Sequence, residues 1–532
     1  MSVGTLSRGA HRPAFTRPAW LESLGAEGAI VAALTAVAAV VRFVHIAHQG
    51  FWFDEGNTAQ LISFSPGPML TLIKHYESTP PLYYCIVWVW GRVFDFGEAG
   101  LRSFSAVVGV LTVPVAYVAG AKLISKRAGV IAAALTTFNP YLIWYSQEAR
   151  AYELVVLLTG LSLVAFAFAL REPSGRAVAA WGITCALALA TEYYSALIIV
   201  PEALWLLYSH RRDPRLRGLA ITIGLLVLWS APLLWFAIEQ NGTGHASWIA
   251  PLPFAPRIEQ IVPQFLVGFQ LPLQQVLTRI AEAAALIALL LLAVRSAPEE
   301  RRGGVLALSI AVGGFVLELL LIGGGIDDLL SRNVISLWMP AAVAVAGGFA
   351  AVRARTLGIV CTVVLCAIGL TGAVAVAADR NYQRPDWRGV ARVLGARPAP
   401  GVTRGILIQH YRDLLPLKLY MPGLVFWPHV HQGPAPNDYM PVGTLRLSEF
   451  DIVAISAPRV NLCWWGSACN LTPRPLQRSY LIPGMHVAWI RHIYQFTIMR
   501  LVASHPVPVN PQAVARALTV TTLRQDDLLR QP

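Results

Sequence analysis

Charge is what this chain has least of: Asp, Glu, Lys and Arg make up 13% of its 532 residues, against about 25% in an ordinary soluble domain. With 55% hydrophobic residues and a mean hydropathy of +0.55, a single soluble core is excluded and a polytopic membrane protein is implied. No Gly-rich Walker loop is present, so energy from ATP is not indicated. Internal repeats and paired similar halves are absent as well. The net charge of +13 comes without interleaved basic and aromatic residues, which argues against a nucleic-acid partner. Cysteine is also scarce. Of six, Cys85, Cys185, Cys361 and Cys366 lie in apolar runs and read as small hydrophobes. Cys463 and Cys469 bracket CWWGSAC, a spacing suited to a small disulfide loop in an oxidising compartment, with no nearby His or further Cys to suggest zinc.

What is there is a succession of apolar runs beginning near 28, 101, 128, 151, 177, 194, 217, 276, 303, 334 and 355, about eleven spans if each crosses a core of roughly 30 Å. The first, from Gly28 to Ala47 behind Arg8, Arg12 and Arg17, reads as a retained helix because no polar mature domain follows. Leu82 to Phe96 is too short to cross and is rich in Trp and Tyr, so it reads as an amphipathic helix lying on the membrane surface. With that segment not crossing, Lys122 to Arg127, Arg171 and Arg176, Arg211 to Arg217, Arg295 to Arg302, and Arg353 with Arg355 all fall on the cytoplasmic side, as the positive-inside rule requires. The expected organisation is a cytoplasmic segment 1–27, a transmembrane domain 28–378 with a first external loop 48–100, and an external domain 379–532.

In that last domain RPDWRGVARVLG reads as a helix, ILIQH and DIVAIS as buried strands, and HVAWIRHIYQFTIM as a strand pair or helix, giving a small α/β unit. The polar tail after Pro506 is expected to be partly disordered.

The same topology gathers isolated charges on the external side. Asp54 and Glu55 follow Phe51, Trp52 and Phe53 at the end of the first span. They read either as interfacial acids under an aromatic belt or as a base for an acceptor hydroxyl or amine. Glu77 stands ahead of Thr79 and the Pro80-Pro81 pair: an ordinary helix-start acid, or a partner to Asp54 as base support or metal ligand. The turn SQEARAYE supplies Gln147, Glu148, Arg150 and Tyr152; Arg150 is either half of a local ion pair or a phosphate clamp. Arg332, after Asp327 and Asp328, and Arg102 offer the same guanidinium chemistry from two other segments. Three such arginines around carboxylates suit a lipid-linked phosphate.

At these residues the chain resembles a known family. FWFDEGNTAQ, YESTPPLYY, ALRSFSAVVG, FNPYLIWYSQEARAYEL, LLSRNVISLWMP and YQRPDWRGVARVL, in this order over roughly residues 28 to 395, are similar to bacterial GT-C fold glycosyltransferases, relatives of protein O-mannosyltransferases and lipid A aminoarabinose transferases. The resemblance implies transfer of a sugar from a polyprenyl-phosphate donor to a glycan, lipid or protein acceptor, at the external face of a bacterial plasma membrane. It implies Asp54 as catalytic acid with Glu55 its neighbour and Glu77 as the acid before the proline pair. Arg150, Arg332 and Arg102 would meet the donor phosphate; Gln147, Glu148, Tyr152 and Tyr83 would line the substrate. Thr79 stands where the family usually has His, which weakens a metal role there; no cofactor is required, and a divalent metal at Asp54 and Glu77 stays open. The implied chemistry is one inverting displacement with Asp54 as base. The rival of another class is a transporter or flippase of lipid-linked precursors, which predicts midplane charges or duplicated halves.

Overall fold

The computed structural model describes residues 25–213, 215–243, 248–408, 414–431, 439–455, 482–494, 496–519, 523 and 526–532; the Cys463–Cys469 segment lies outside them. Each of the eleven apolar runs is helical. Among the described residues seven helices are long and apolar enough to cross a membrane: Gly25–Phe43, Glu98–Leu123, Tyr152–Arg171, Leu216–Gly242, Gln274–Val294, Pro298–Gly323 and Val352–Ala378. The remaining runs form Lys126–Phe138, continued by Pro140–Ser146, and the shorter Gly175–Thr191, Ala196–Ser209 and Trp338–Phe349. Pro140, at the first position of its helix, lacks the N–H that position could not use, and the Asn139 side chain caps the turn by accepting from the Leu142 amide.

Small residues set the helix spacing, as expected where lipid supplies no hydrophobic drive between helices. A Cβ on Gly348 would lie 1.9 Å from the Ala288 carbonyl oxygen, so only glycine allows that crossing. The Leu216–Gly242 helix is at the other extreme, with Ile221, Leu225, Val227 and Leu228 at least 60% exposed, a face suited to acyl chains.

The first interhelical loop folds as three short helices, Phe53–Ser63, Pro66–Tyr76 and Leu82–Phe94. They form a platform over one end of the bundle. The C-terminal end of the long Leu216–Gly242 helix holds it: Gln240 Nε2 donates to the Ile73 and Thr79 carbonyls at 3.2 and 3.0 Å, and Lys74 pairs with Glu239. Basic residues meet at the opposite end, where Arg127 donates to the Arg355 carbonyl and Arg171 to that of Lys122.

Beyond the last long helix the chain forms an α/β unit. Its strands are β1 (Arg404–Ile408), β2 (Val425–Phe426), β3 (His429–His431), β4 (Tyr439–Pro441), β5 (Leu445–Ile455), β6 (His486–Ile493), β7 (Phe496–Val509) and β8 (Asp527–Gln531). Six make one sheet in the order β2-β8-β1-β5-β7-β6, with β1 and β5 parallel and the other neighbours antiparallel; β3 and β4 pair separately. HVAWIRHIYQFTIM is thus a strand pair. The tail contributes an element that the sequence did not announce: Asp527–Gln531 pairs along its whole length with β1. The physical reason is alternation: Leu528 enters the core on one face with Trp427 and Phe450, Leu529 the core on the other with Trp387 and Ile406. Two adjacent leucines in a polar tail were too short a pattern to announce a strand.

The unit is bolted to the platform. Tyr420 Oη accepts from the Phe51 amide at 2.7 Å and donates to Glu98 at 2.7 Å, and Arg388 reaches Glu98 at 3.2 Å and the Ala47 and His48 carbonyls.

Candidate active site

The site grows from the first turn of the Phe53–Ser63 helix. Three acids of this loop frame it, Asp54, Glu55 and Glu77, and their surroundings differ sharply.

Glu55 is fully buried. Arg102 grips it with two parallel bonds, Nε to Oε1 at 2.7 Å and Nη2 to Oε2 at 2.6 Å, and the Ala149 amide donates to Oε1 at 3.0 Å. Arg102 and the Ala149 amide hold this carboxyl below its usual range despite burial, which is the largest single influence and pushes it up. Arg102 donates its other three hydrogens to the carbonyls of Ile46, Gln49 and Gly50. All five of its donors are therefore engaged within the chain. This differs from the sequence expectation that Arg102 meets a donor phosphate: it fastens the end of the first span to the platform.

Glu77 is nearly as buried, at 2% exposure. Arg150 contacts both of its oxygens, at 2.7 and 3.1 Å, and Asn57 donates to Oε1 at 2.6 Å. Arg150 also donates to Tyr84 Oη at 2.9 Å. Asn57 is one turn on from Asp54, so Glu77 and Asp54 share a face of the Phe53–Ser63 helix.

Asp54 alone of the three keeps access to solvent. Its side chain is 17% exposed and meets Arg332 through one bond, Nη1 to Oδ2 at 3.1 Å. Arg332 comes from the turn after Asp327 and Asp328, stands 5.9 Å from the Trp248 ring centroid, and is 22% exposed. That turn is anchored by Arg257, which grips Asp327 at 2.6 and 2.7 Å, and by Tyr194 Oη donating to Asp328 at 3.1 Å.

The SQEARAYE turn forms the opposite wall. Tyr152 is buried against Tyr145, ring centroids 4.6 Å apart, and lies within electrostatic reach of Arg332, Arg150, Asp54 and Glu148 together. Glu148 is 1% exposed. Its Oε2 accepts from Arg384 at 2.9 Å while Oε1 has no partner. Burial outweighs the Arg384 ion pair and raises this carboxyl to about 7. Gln147 and Tyr83 have other surroundings. Gln147 donates to the Val41, Arg42 and Val44 carbonyls, closing the end of the first span, and Tyr83 is wholly buried against Tyr84 and Phe104.

For a divalent metal the donor set fits poorly. Asp54 and Glu77 each face a guanidinium, and among the described residues no three His, Cys, Asp or Glu side chains converge.

Sequence reasoning missed Arg384, which lies inside the quoted YQRPDWRGVARVL stretch. It is 6% exposed, stacks 4.2 Å over Trp144 and carries the Glu148 ion pair. Its position before Pro385, outside the span, was the available signal. Glu192, in the turn after the Gly175–Thr191 helix, is 3% exposed, and burial raises it to about 8. Acids also occur inside the apolar helices, contrary to the expectation that they gather at one surface. Glu202 accepts from Trp181 Nε1 at 2.8 Å and Ser162 at 3.4 Å. Glu153 lies near Arg42 and Ser146, where a Cβ on Gly109 would be 2.3 Å from Ser146 Oγ and 2.9 Å from Glu153 Oε1.

Residues 78–236 match the family model described as dolichyl-phosphate-mannose-protein mannosyltransferase, a stretch that holds the SQEARAYE turn but neither Asp54 nor Arg332. No curated protein matches by sequence. Among solved structures, ArnT from Cupriavidus metallidurans in the apo state is similar over 90% of this chain and 99% of that one, with 14% identity and a TM-score of 0.56. The same protein bound to undecaprenyl phosphate is similar over the same shares, with 16% identity and a TM-score of 0.51. In fold, this chain is a GT-C membrane protein, shared with the ArnT structures.

Proposed function

We propose that the protein is a membrane glycosyltransferase that moves a sugar from a polyprenyl-phosphate carrier to an envelope glycan, lipid or protein acceptor at the external face, with Asp54 as base. One observation carries the assignment. Of the three acids in the platform, Glu55 and Glu77 are buried and gripped at both oxygens, whereas Asp54 is open to solvent and held at one. A base must reach a proton; only Asp54 can. The GT-C fold, the mannosyltransferase model over residues 78–236 and an undecaprenyl-phosphate complex of a protein with this fold support the donor class.

In this reading the acceptor hydroxyl or amine gives its proton to the free oxygen of Asp54 as it attacks the anomeric carbon. The new bond forms opposite the carbon–oxygen bond to the phosphate, which breaks with its electron pair on the phosphate. Arg332, the less enclosed of the two remaining arginines, turns its unused donors to that oxyanion, and Arg150 backs it. Glu77 keeps Arg150 in place. Inversion at the anomeric centre follows from the single step.

The test is transfer by purified protein from defined polyprenyl-phosphate sugars to a membrane extract, with product configuration read by NMR. Retained configuration sinks the single displacement. Movement of lipid across vesicles without transfer favours the transporter.

A further inference from the structure

A second site lies behind the SQEARAYE turn. A groove with an empty volume of about 940 Å³ opens between the platform ends of the first and last long helices. Its walls include Val40, Leu370 and Val374, which are 61, 42 and 56% exposed on helices of spanning length, so this part of the groove faces acyl chains.

The mouth is different. His45, turned out of the helix end at φ 60°, sits edge-on to His48 with ring centroids 5.4 Å apart. Arg384 lines the same mouth. Its Nη1 and Nη2 are taken by Gln147, Trp144 and Glu148, but its Nε–H is buried without a partner. Among the described residues no Asp or Glu lines the groove; Glu148, behind it, is already on Arg384. A cation with an unmet donor and two imidazoles, set directly above lipid-facing valines, complements a phosphate joined to a hydrocarbon chain.

We propose that this groove binds an anionic phospholipid of the surrounding leaflet, its phosphate at His45, His48 and Arg384 and one chain along Val40 and Val374. The occupant is a phospholipid and not the sugar carrier, because none of Asp54, Arg150 and Arg332 lines the groove. A carrier seated there would hold its anomeric carbon away from the base. A phosphate on Arg384 Nε also fixes the guanidinium that holds Glu148, so lipid charge is felt at the back wall of the active site. This goes beyond the transferase reading and stands apart from it.

The test is native mass spectrometry of the full-length protein, delipidated in detergent and offered phosphatidylglycerol, phosphatidylethanolamine and undecaprenyl phosphate separately. Wild type retains phosphatidylglycerol over phosphatidylethanolamine by roughly tenfold, because both offer the phosphate but the ammonium of phosphatidylethanolamine cancels its net charge beside Arg384. Val374→Trp fills the groove and abolishes the preference. Should that variant fail to fold, His45→Asn with His48→Gln removes the imidazoles while keeping a residue that tolerates positive φ, and it weakens retention. Equal retention of the two phospholipids overturns the proposal, as does a preference that survives both variants. Undecaprenyl phosphate held in place of phosphatidylglycerol, and lost with Val374→Trp, would make the groove a carrier channel and overturn it equally.

Discussion

Replacing Arg102 with Met removes a guanidinium that touches neither solvent nor, in this account, substrate. Glu55 would then be left as a buried carboxylate with only the Ala149 amide and a long 3.5 Å contact from the Trp52 amide. Breaking one side of a buried ion pair costs about 3–5 kcal/mol, and the Ile46, Gln49 and Gly50 carbonyls each lose a donor, at about 1 kcal/mol apiece where no water replaces it. The expected result is a fall of several degrees in apparent Tm in detergent, followed by intrinsic tryptophan fluorescence, together with loss of transfer as the platform detaches. The double variant Glu55→Gln with Arg102→Met carries no orphaned charge and recovers a large part of the lost stability. Acid probes the same pair. Because Glu55 sits below its ordinary value in the fold, its stabilisation is complete above about pH 4.3 and is lost as pH falls through the lowered folded value. The reasoning is refuted if Arg102→Met unfolds at the wild-type temperature, or if it stays stable and specifically weakens donor binding, as a phosphate ligand would.

Arg332→Lys keeps the charge but loses the planar fork, so transfer falls by roughly tenfold or more while Tm stays put; equal activity would remove Arg332 from the site. Glu148, raised to about 7 by burial, favours its protonated form in the fold. Its contribution to stability is complete below the ordinary carboxylate range and fades as pH rises through about 7. The pH profile of transfer should bend there in wild type and lose that bend in Glu148→Gln, and an unchanged profile would contradict it. Tyr420→Phe deletes the hydrogen bonds to Phe51 and Glu98 at about 1–3 kcal/mol. Amide exchange in the Phe53–Ser63 helix is expected to speed up, and exchange confined to the C-terminal unit would show that the contact does not position the platform.

The eleven helical runs were legible because lipid imposes a length and a composition that survive without tertiary context. The platform was legible in Trp and Tyr content and in the charge asymmetry of the loops. Within the site, the residue types pointed to one region, but their division of labour did not follow from them. Asp54 and Glu55 are adjacent and chemically alike; a helix turns consecutive side chains by about 100°, and that rotation sends one to Arg102 and the other toward solvent. Nothing local in the sequence tells which. Arg102 looked like Arg150 and Arg332 for the same reason, since only the folded chain reveals the three carbonyls it closes on. β8 escaped notice because its pairing partner, β1, lies more than a hundred residues away, and tertiary alternation decided what a short polar context hid.

The most direct test of the central claim is the transfer rate of Asp54→Asn beside Glu55→Gln, each measured with its apparent Tm. The account expects Asp54→Asn to keep its Tm and lose transfer by about 10²–10⁴, the contribution of a general base, while Glu55→Gln loses stability first. Undiminished transfer by a folded Asp54→Asn protein would contradict it.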